Sequence, residues 1–157
     1  MDEIEIEHLN RLARIRSLLD ITPDTHITLV GDVMLDRFVT GETDTLATTA
    51  PAPALRVIRT NQSPGASAHI VQSLNGFGTN TRFHSAVGND EPGKCILNIL
   101  DQSGINTDRI LEIIDHTTLV KTRYFASRGG LLDRKQMLLQ TDEGGKIPLN
   151  DDDSSTI

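Results

Sequence analysis

Four short runs in this sequence carry side chains able to recognise a polar ligand. The first is G-D-V-M-L-D at 31–36, directly after the short apolar run H-I-T-L-V-G at 26–31. That run reads as a buried parallel strand. In an open α/β sheet, ligands bind at the carboxyl ends of the strands. Asp32 and Asp36 are therefore placed to bond sugar hydroxyls, or simply to cap a turn. The second run is P-G-A-S-A-H at 64–69, at a junction between loop and helix. A helix N-terminus offers unpaired N–H groups and the positive end of its dipole. Gly65 lets backbone approach a ligand closely, Ala66 keeps the floor low, and His69 supplies a donor or acceptor. A helix start packed tightly on a strand would use the same residues. The third, A-V-G-N-D-E-P-G-K at 86–94, sets Asn89 and Asp90 between a strand and a helix, as secondary ligand groups or a plain capped turn. The fourth, V-K-T-R at 120–123, puts Lys121 and Arg123 on one strand face by alternation. Two cations there would grip an anion, or stand in solvent.

The elements that must position these runs follow from periodicity. Residues 4–20 read as an amphipathic helix on Ile4, Leu9, Leu12, Ile15, Leu18 and Leu19. Pro23 and Asp24 end it. Pro51 and Pro53 exclude a central strand over 37–60, which reads as irregular or edge strands projecting from the main sheet. Residues 61–65 read as a polar turn and 66–75 as a helix closed by Gly76 and Gly78. A strand follows at 80–87. Asn89, Asp90 and Pro92 then mark a helix start, and that helix runs to Ser103 with Gly104 beyond. Strands are expected at 110–114, 119–126 and 136–141, pairing as an antiparallel ribbon or edge because no helices separate them. Residues 143–157 read as an acidic, disordered tail, whose final N-D-D-D-S-S-T-I at 150–157 is disordered or marks a chain cut short before its next helix. Alternating strands and helices give an α/β class with a partial, largely parallel sheet.

Composition narrows the partners. The chain has 157 residues, 37% hydrophobic and 24% charged, which suits one globular domain or slightly more. Its aromatic content of 3% leaves the core to Ile, Leu, Val and Ala. A net charge of -7 argues against nucleic acid, which needs clustered Lys and Arg. No apolar run approaches a membrane span. The single Cys95 fits a reducing compartment and a cytoplasmic protein, and its apolar helical setting suits a buried small hydrophobe. A dinucleotide site is disfavoured, since the first strand ends in G-D-V-M-L-D and not G-x-G-x-x-G.

The four runs gain weight from their order. The run G-D-V-M-L-D, then A-P-A-P, P-G-A-S-A-H, L-N-G-F-G, V-G-N-D-E-P-G and T-T-L-V-K-T-R resembles the amino-terminal half of the ribokinase (phosphofructokinase-B) superfamily. Within it, the likeness is to the heptose 7-phosphate kinase domain of ADP-heptose synthesis. It covers roughly residues 27–142. The resemblance implies a ribokinase-like fold with a small β lid at about 37–60, behind an accessory helix in 1–25. It implies that Asp36 bonds sugar hydroxyls, that Gly65, Ala66 and His69 line the sugar pocket, and that Lys121 and Arg123 lie near a sugar phosphate. It implies a homodimer built through the lid, and ATP with Mg²⁺ as cofactors of the full enzyme. The chain departs from the family pattern in four places: Ala66 stands for a second Gly, His69 for an Asn, Gln140 for an Arg, and the lid run at 47–53, A-T-T-A-P-A-P, lacks the family's acidic residue. No G-x-G-D segment occurs, so the base, the anion hole and the ATP loops implied by the family lie outside these residues. The chain is expected to be inactive alone, to bind no cofactor and no metal, and to act with a carboxy-terminal kinase half. A non-catalytic sugar-binding or dimerisation module, and a truncated gene product, are the other readings.

Overall fold

The computed structural model describes residues 3–19, 26–127 and 135–145. Its elements run α1 (Glu3–Leu19), β1 (His26–Val30), β2 (Val33–Leu46), β3 (Pro53–Ala66), α2 (Ser67–Gly76), β4 (Asn80–Gly88), α3 (Glu91–Gln102), β5 (Ile110–Ile113), β6 (Val120–Ser127) and β7 (Gln136–Glu143). They form two sheets. One is three-stranded and parallel, in the order β1-β4-β5. The other is four-stranded, in the order β3-β2-β6-β7.

The two sheets share one core. Phe83 and Val87 of β4 pack with Leu35 of β2, Val71 of α2, and Ile96 and Leu100 of α3, all essentially buried. Val33, Ala68, Ile105, Ile110 and Val120 complete it. Alternation decides which side chains of β2 reach this core: Val33 and Leu35 do, Val39 and Gly41 continue the same buried face, and the even-numbered residues lie on the other face. The α3 stripe works by helical spacing, with Ile96 and Leu100 one turn apart. Asp90 caps that helix, accepting a hydrogen bond from Gly93 N at 2.9 Å, and Pro92 occupies its first turn. Gly78, at φ 76°, ends α2, and Gly104, at φ 73°, ends α3.

Three sequence expectations are corrected here. Over 37–60, β3 is an edge strand as expected and its pairing with β2 shifts register between Thr40 and Gly41 and between Glu42 and Thr45, but β2 is not an edge: it lies inside its sheet between β3 and β6. The supposed polar turn at 61–65 is the end of β3. The late strands form no common antiparallel ribbon. β5 joins β4 in parallel, β6 joins β2 in parallel, and only β6–β7 is antiparallel. The expected tail at 143–157 begins inside β7 at Glu143, and from residue 146 it falls outside the described residues. The helix expected over 4–20 forms as α1, with its described side chains exposed over 4–18, and the rest of the 1–25 segment lies outside the described residues. Among the described residues, no helix is long and apolar enough to cross a membrane.

Candidate functional site

The chain leaves the three-stranded sheet at the end of β1 and, past Gly31 and Asp32, enters the four-stranded one as β2. The carbonyl of Asp32 accepts hydrogen bonds from Ser67 N, at 3.1 Å, and Ser67 Oγ, which ties the β1–β2 corner to the start of α2. The Asp32 side chain is exposed. Four residues on, Asp36 sits on the outer face of β2. Parallel register sets Asp36 beside Lys121 and Phe38 beside Arg123, so all four side chains share one sheet face. Antiparallel register adds Gln140 opposite Arg123 and Asp142 opposite Lys121.

The charges on this face are paired. Arg123 Nη1 donates to Asp36 Oδ1 at 2.5 Å, with side chains 26% and 18% exposed. That is a partly desolvated, charge-assisted bond, stronger than a surface pair. The Arg123 guanidinium also lies over the Phe38 ring, 5.4 Å from its centroid. Phe38 in turn stacks on Phe125 at 6.4 Å. Lys121 Nζ stands 3.9 Å from Asp142 Oδ2, at the limit of an ion pair. With Asp142 half-exposed, that contact contributes at most about 1 kcal/mol.

Gly65 lies on β3 against the other oxygen of Asp36. A Cβ there would collide with Asp36 Oδ2 and lie 2.8 Å from Met34 Cγ, so only glycine leaves the carboxylate its place. The next residue, Ala66, has φ 52° and ψ -129°, the only positive φ outside glycine among the described residues. It precedes α2 without a side-chain cap. His69 is exposed in the first turn of α2, and its carbonyl accepts from Ser73 Oγ at 3.1 Å. No hydrogen bond joins it to Asp36 or Gly65.

Asp90 serves the scaffold. Its carboxylate accepts from Thr118 Oγ1 at 2.7 Å, Thr118 N at 2.8 Å and Gly93 N at 2.9 Å. Thr118 Oγ1 accepts from Gly88 N at 2.8 Å. This clasp joins the β4–α3 corner to the segment entering β6. Burial raises the Asp90 pKa, but the hydrogen bonds from Thr118 and Gly93 outweigh it and hold the carboxyl below its ordinary value. His116, beside the clasp, has a buried Nδ1 with no partner. Burial pushes its pKa down, against the pull of Asp90 and Asp32. Asn89 is exposed, and its N–H donates to Ile113 O at 3.1 Å.

The structure thus brings together Asp36, Gly65, Lys121 and Arg123, engages Asp90 in the fold, and leaves Asp32, His69 and Asn89 exposed. Sequence reasoning missed Phe38, Phe125 and Asp142. The signal was available, since Phe38 and Phe125 each stand two residues beyond a named charge on the same strand. A cavity of about 460 Å³ bordered by Arg82, Asn106 and Arg109 lies elsewhere, at the amino end of β4. That is the wrong end of a parallel sheet for the usual ligand crevice. Among the described residues, no three His, Cys, Asp or Glu side chains converge to hold a metal ion, and both cations of the Asp36 face already meet carboxylates.

The arrangement matches known sugar kinases in fold. A carbohydrate kinase from Agrobacterium tumefaciens superposes with a TM-score of 0.60 over 76% of this chain and 35% of its own, at 20% identity. A Methanocaldococcus jannaschii nucleoside kinase, an archaeal member of the ribokinase family, superposes with a TM-score of 0.53 over 76% and 37%, at 18% identity. In sequence, the chain is 31% identical over 128 residues to the bifunctional protein HldE of Gluconacetobacter diazotrophicus. It is 34% identical over 116 residues to the D-beta-D-heptose 7-phosphate kinase of Bordetella bronchiseptica. The chain is thus similar in sequence to a part of each of these two relatives, and in fold to these kinases. It spans 25% of the first of these two relatives and 34% of the second, while 82% and 74% of its own length align. No family model matches it. For a ribokinase-like domain, the β2–β3 hairpin is the added β layer and β1-β4-β5 is part of the parallel sheet flanked by helices.

Proposed function

We propose that this chain is the sugar-binding and lid part of a carbohydrate kinase, with Asp36 accepting hydrogen bonds from hydroxyls of the acceptor sugar. The observation that carries this reading is the Asp36 carboxylate, held on one oxygen by Arg123 and cleared on the other by Gly65, just beyond the corner that joins the two sheets. The Bordetella relative's name points to a heptose 7-phosphate as the acceptor class. Phosphoryl transfer is mostly positioning and charge stabilisation. The base of a G-x-G-D segment and the groups that bind ATP and Mg²⁺ would come from a carboxy-terminal kinase half acting as partner, since these 157 residues contain no G-x-G-D. The distal part of the β2–β3 hairpin, with Leu46, Val57 and Ile58 exposed, would serve as lid and homodimer contact. Cys95, a free thiol, suits a cytoplasmic setting.

A coupled phosphorylation assay tests this, with the chain alone and mixed with the carboxy-terminal half of a relative. The expected result is no turnover alone and sugar-dependent ADP release in the mixture. Robust turnover by the chain alone would overturn the proposal. Ala66 and His69, where the family pattern has Gly and Asn, favour a second reading as a non-catalytic sugar-binding or dimerisation module. Sugar binding by calorimetry without turnover in any mixture would select it.

A further inference from the structure

Every side chain of α1 from Ile4 to Leu18 is exposed. A lone helix of this length is marginal in water, because propagation barely offsets nucleation. Its apolar side chains call for a covering surface, and the order of its charges says which.

At 3.6 residues per turn, Glu5, Leu9, Leu12 and Arg16 fall on one narrow stripe of α1, at the spacing of a coiled-coil seam. Ile6 and Ile15 flank that stripe, one on each side. The opposite face is polar, and there Arg11 Nη2 donates to Glu7 Oε1 at 2.6 Å. The stripe has a two-fold pattern. About the point midway between Asn10 and Arg11, Leu9 maps onto Leu12, Ile6 onto Ile15, and Glu5 onto Arg16. Apolar maps onto apolar and acid onto base.

Two copies of α1 laid antiparallel about that point set Leu9 against Leu12 in the middle, with Glu5 facing Arg16 at each end. Arg16 meets no acid among the described residues. Two copies laid parallel would oppose Glu5 to Glu5 and Arg16 to Arg16, and like charges along a helix seam repel. The helix dipole also favours acids first and bases last, but it does not set one of each on the apolar stripe. A membrane surface fits less well. The helix carries three Glu and three Arg, and an anionic headgroup layer selects a basic face.

We propose that α1 is a self-association element that pairs antiparallel with α1 of a second copy. Leu9 and Leu12 form the seam, and Glu5 of each helix faces Arg16 of the other. The contact is isologous, so one two-fold axis closes it. It is separate from the hairpin contact proposed above.

Sedimentation equilibrium of the full chain over a concentration series tests this. The chain is expected to self-associate, and the double variant Leu9→Asn, Leu12→Asn to lose the α1 contact. Glu5→Arg and Arg16→Glu should each weaken association about tenfold, because two opposite-charge contacts per dimer become like-charge ones. An equimolar mixture of these two variants should recover it, since every Arg then meets a Glu. Mixing would not cure loss of the helix itself, so the mixture separates pairing from folding. Disulfide capture in a Cys95→Ser background reads the orientation. Glu5→Cys mixed with Arg16→Cys should cross-link. Glu5→Cys alone should not, because antiparallel copies hold the two positions 5 about 16 Å apart along the axis, beyond disulfide reach. Cross-linking of Glu5→Cys with itself overturns the inference. So does a chain that stays monomeric throughout, or an association that no α1 substitution moves. Binding to vesicles of phosphatidylserine and phosphatidylcholine by a chain that is monomeric in water overturns it in favour of a membrane surface. None of these readouts involves Asp36 or a sugar, so the sugar-binding reading stands or falls separately.

Discussion

Ala66 holds a backbone conformation that suits glycine, at φ 52° and ψ -129°. Its Cβ is strained there, by roughly 1–3 kcal/mol, less the 0.5–1 kcal/mol that glycine loses in chain entropy. Ala66→Gly should therefore stabilise the fold by about 1 kcal/mol and raise the melting midpoint by about 3 °C. Thermal circular dichroism checks this, and a lowered midpoint would mean that the strain is relieved elsewhere. At this scale the sequence was informative about residue type and blind to partners. Alternation already set Lys121 and Arg123 on one face. That Arg123 bonds Asp36 depends on the parallel register of β2 and β6, which joins positions 87 residues apart. No local pattern encodes such a register. Asp90 was legible as a helix cap from Asn-Asp-Glu-Pro. Its bonds to Thr118 were not, for the same reason.

Elements were legible where the hydrophobic period was long, as in α3. They were misread at β2, because a proline constrains only the strand that contains it. Pro53 opens β3 and Pro64 lies within it, but β3 pairs only with β2 and is an edge, where a missing N–H costs no ladder bond. β2 contains no proline and so can lie inside the sheet. The corner between β4 and α3 yields an acid prediction. His116 Nδ1 is buried without a partner, so protonation is resisted in the fold, and its folded pKa lies below its unfolded one. Stability should fall as pH drops through the unfolded histidine value near about 6.5, then level off below the folded value. The Asp90 carboxyl is shifted down as well, and its contribution is present above the unfolded value and lost as pH falls through the folded one. A denaturant-midpoint series should show two declines, one below about pH 7 and one below about pH 4. His116→Asn should remove the first and leave the second. A single decline in both proteins would contradict this account.

On the scale of the whole molecule, two features stand out. The side chains of α1 are exposed, Ile4, Leu9, Leu12 and Ile15 among them. Burial of apolar area is what stabilises a docked helix, at about 25 cal/mol per Å². Deleting residues 1–25 should therefore move the melting midpoint by less than about 2 °C. It should also reduce self-association, as read by light scattering, because an exposed apolar stripe is removed. A large fall in the midpoint would show that α1 docks. The second feature is β1, which pairs only with β4 and leaves His26, Thr28 and Val30 exposed. The α/β class was legible from the alternation of elements. The division into two sheets was not, because it is decided by which distant strands pair.

The Asp36–Arg123 contact spans 87 residues, whereas the β2–β3 hairpin closes over the few residues between Leu46 and Pro53. Closing a long loop costs more chain entropy than closing a short one, and non-local pairings form slowly. During synthesis, Asp36 and Phe38 emerge and can fold into their hairpin well before β6 exists. For that interval the carboxylate has no guanidinium and the phenyl ring no lid, so the nascent chain presents half a binding surface. A chain arrested on the ribosome before residue 120 would carry every acidic part of the recognition pair and none of its basic part.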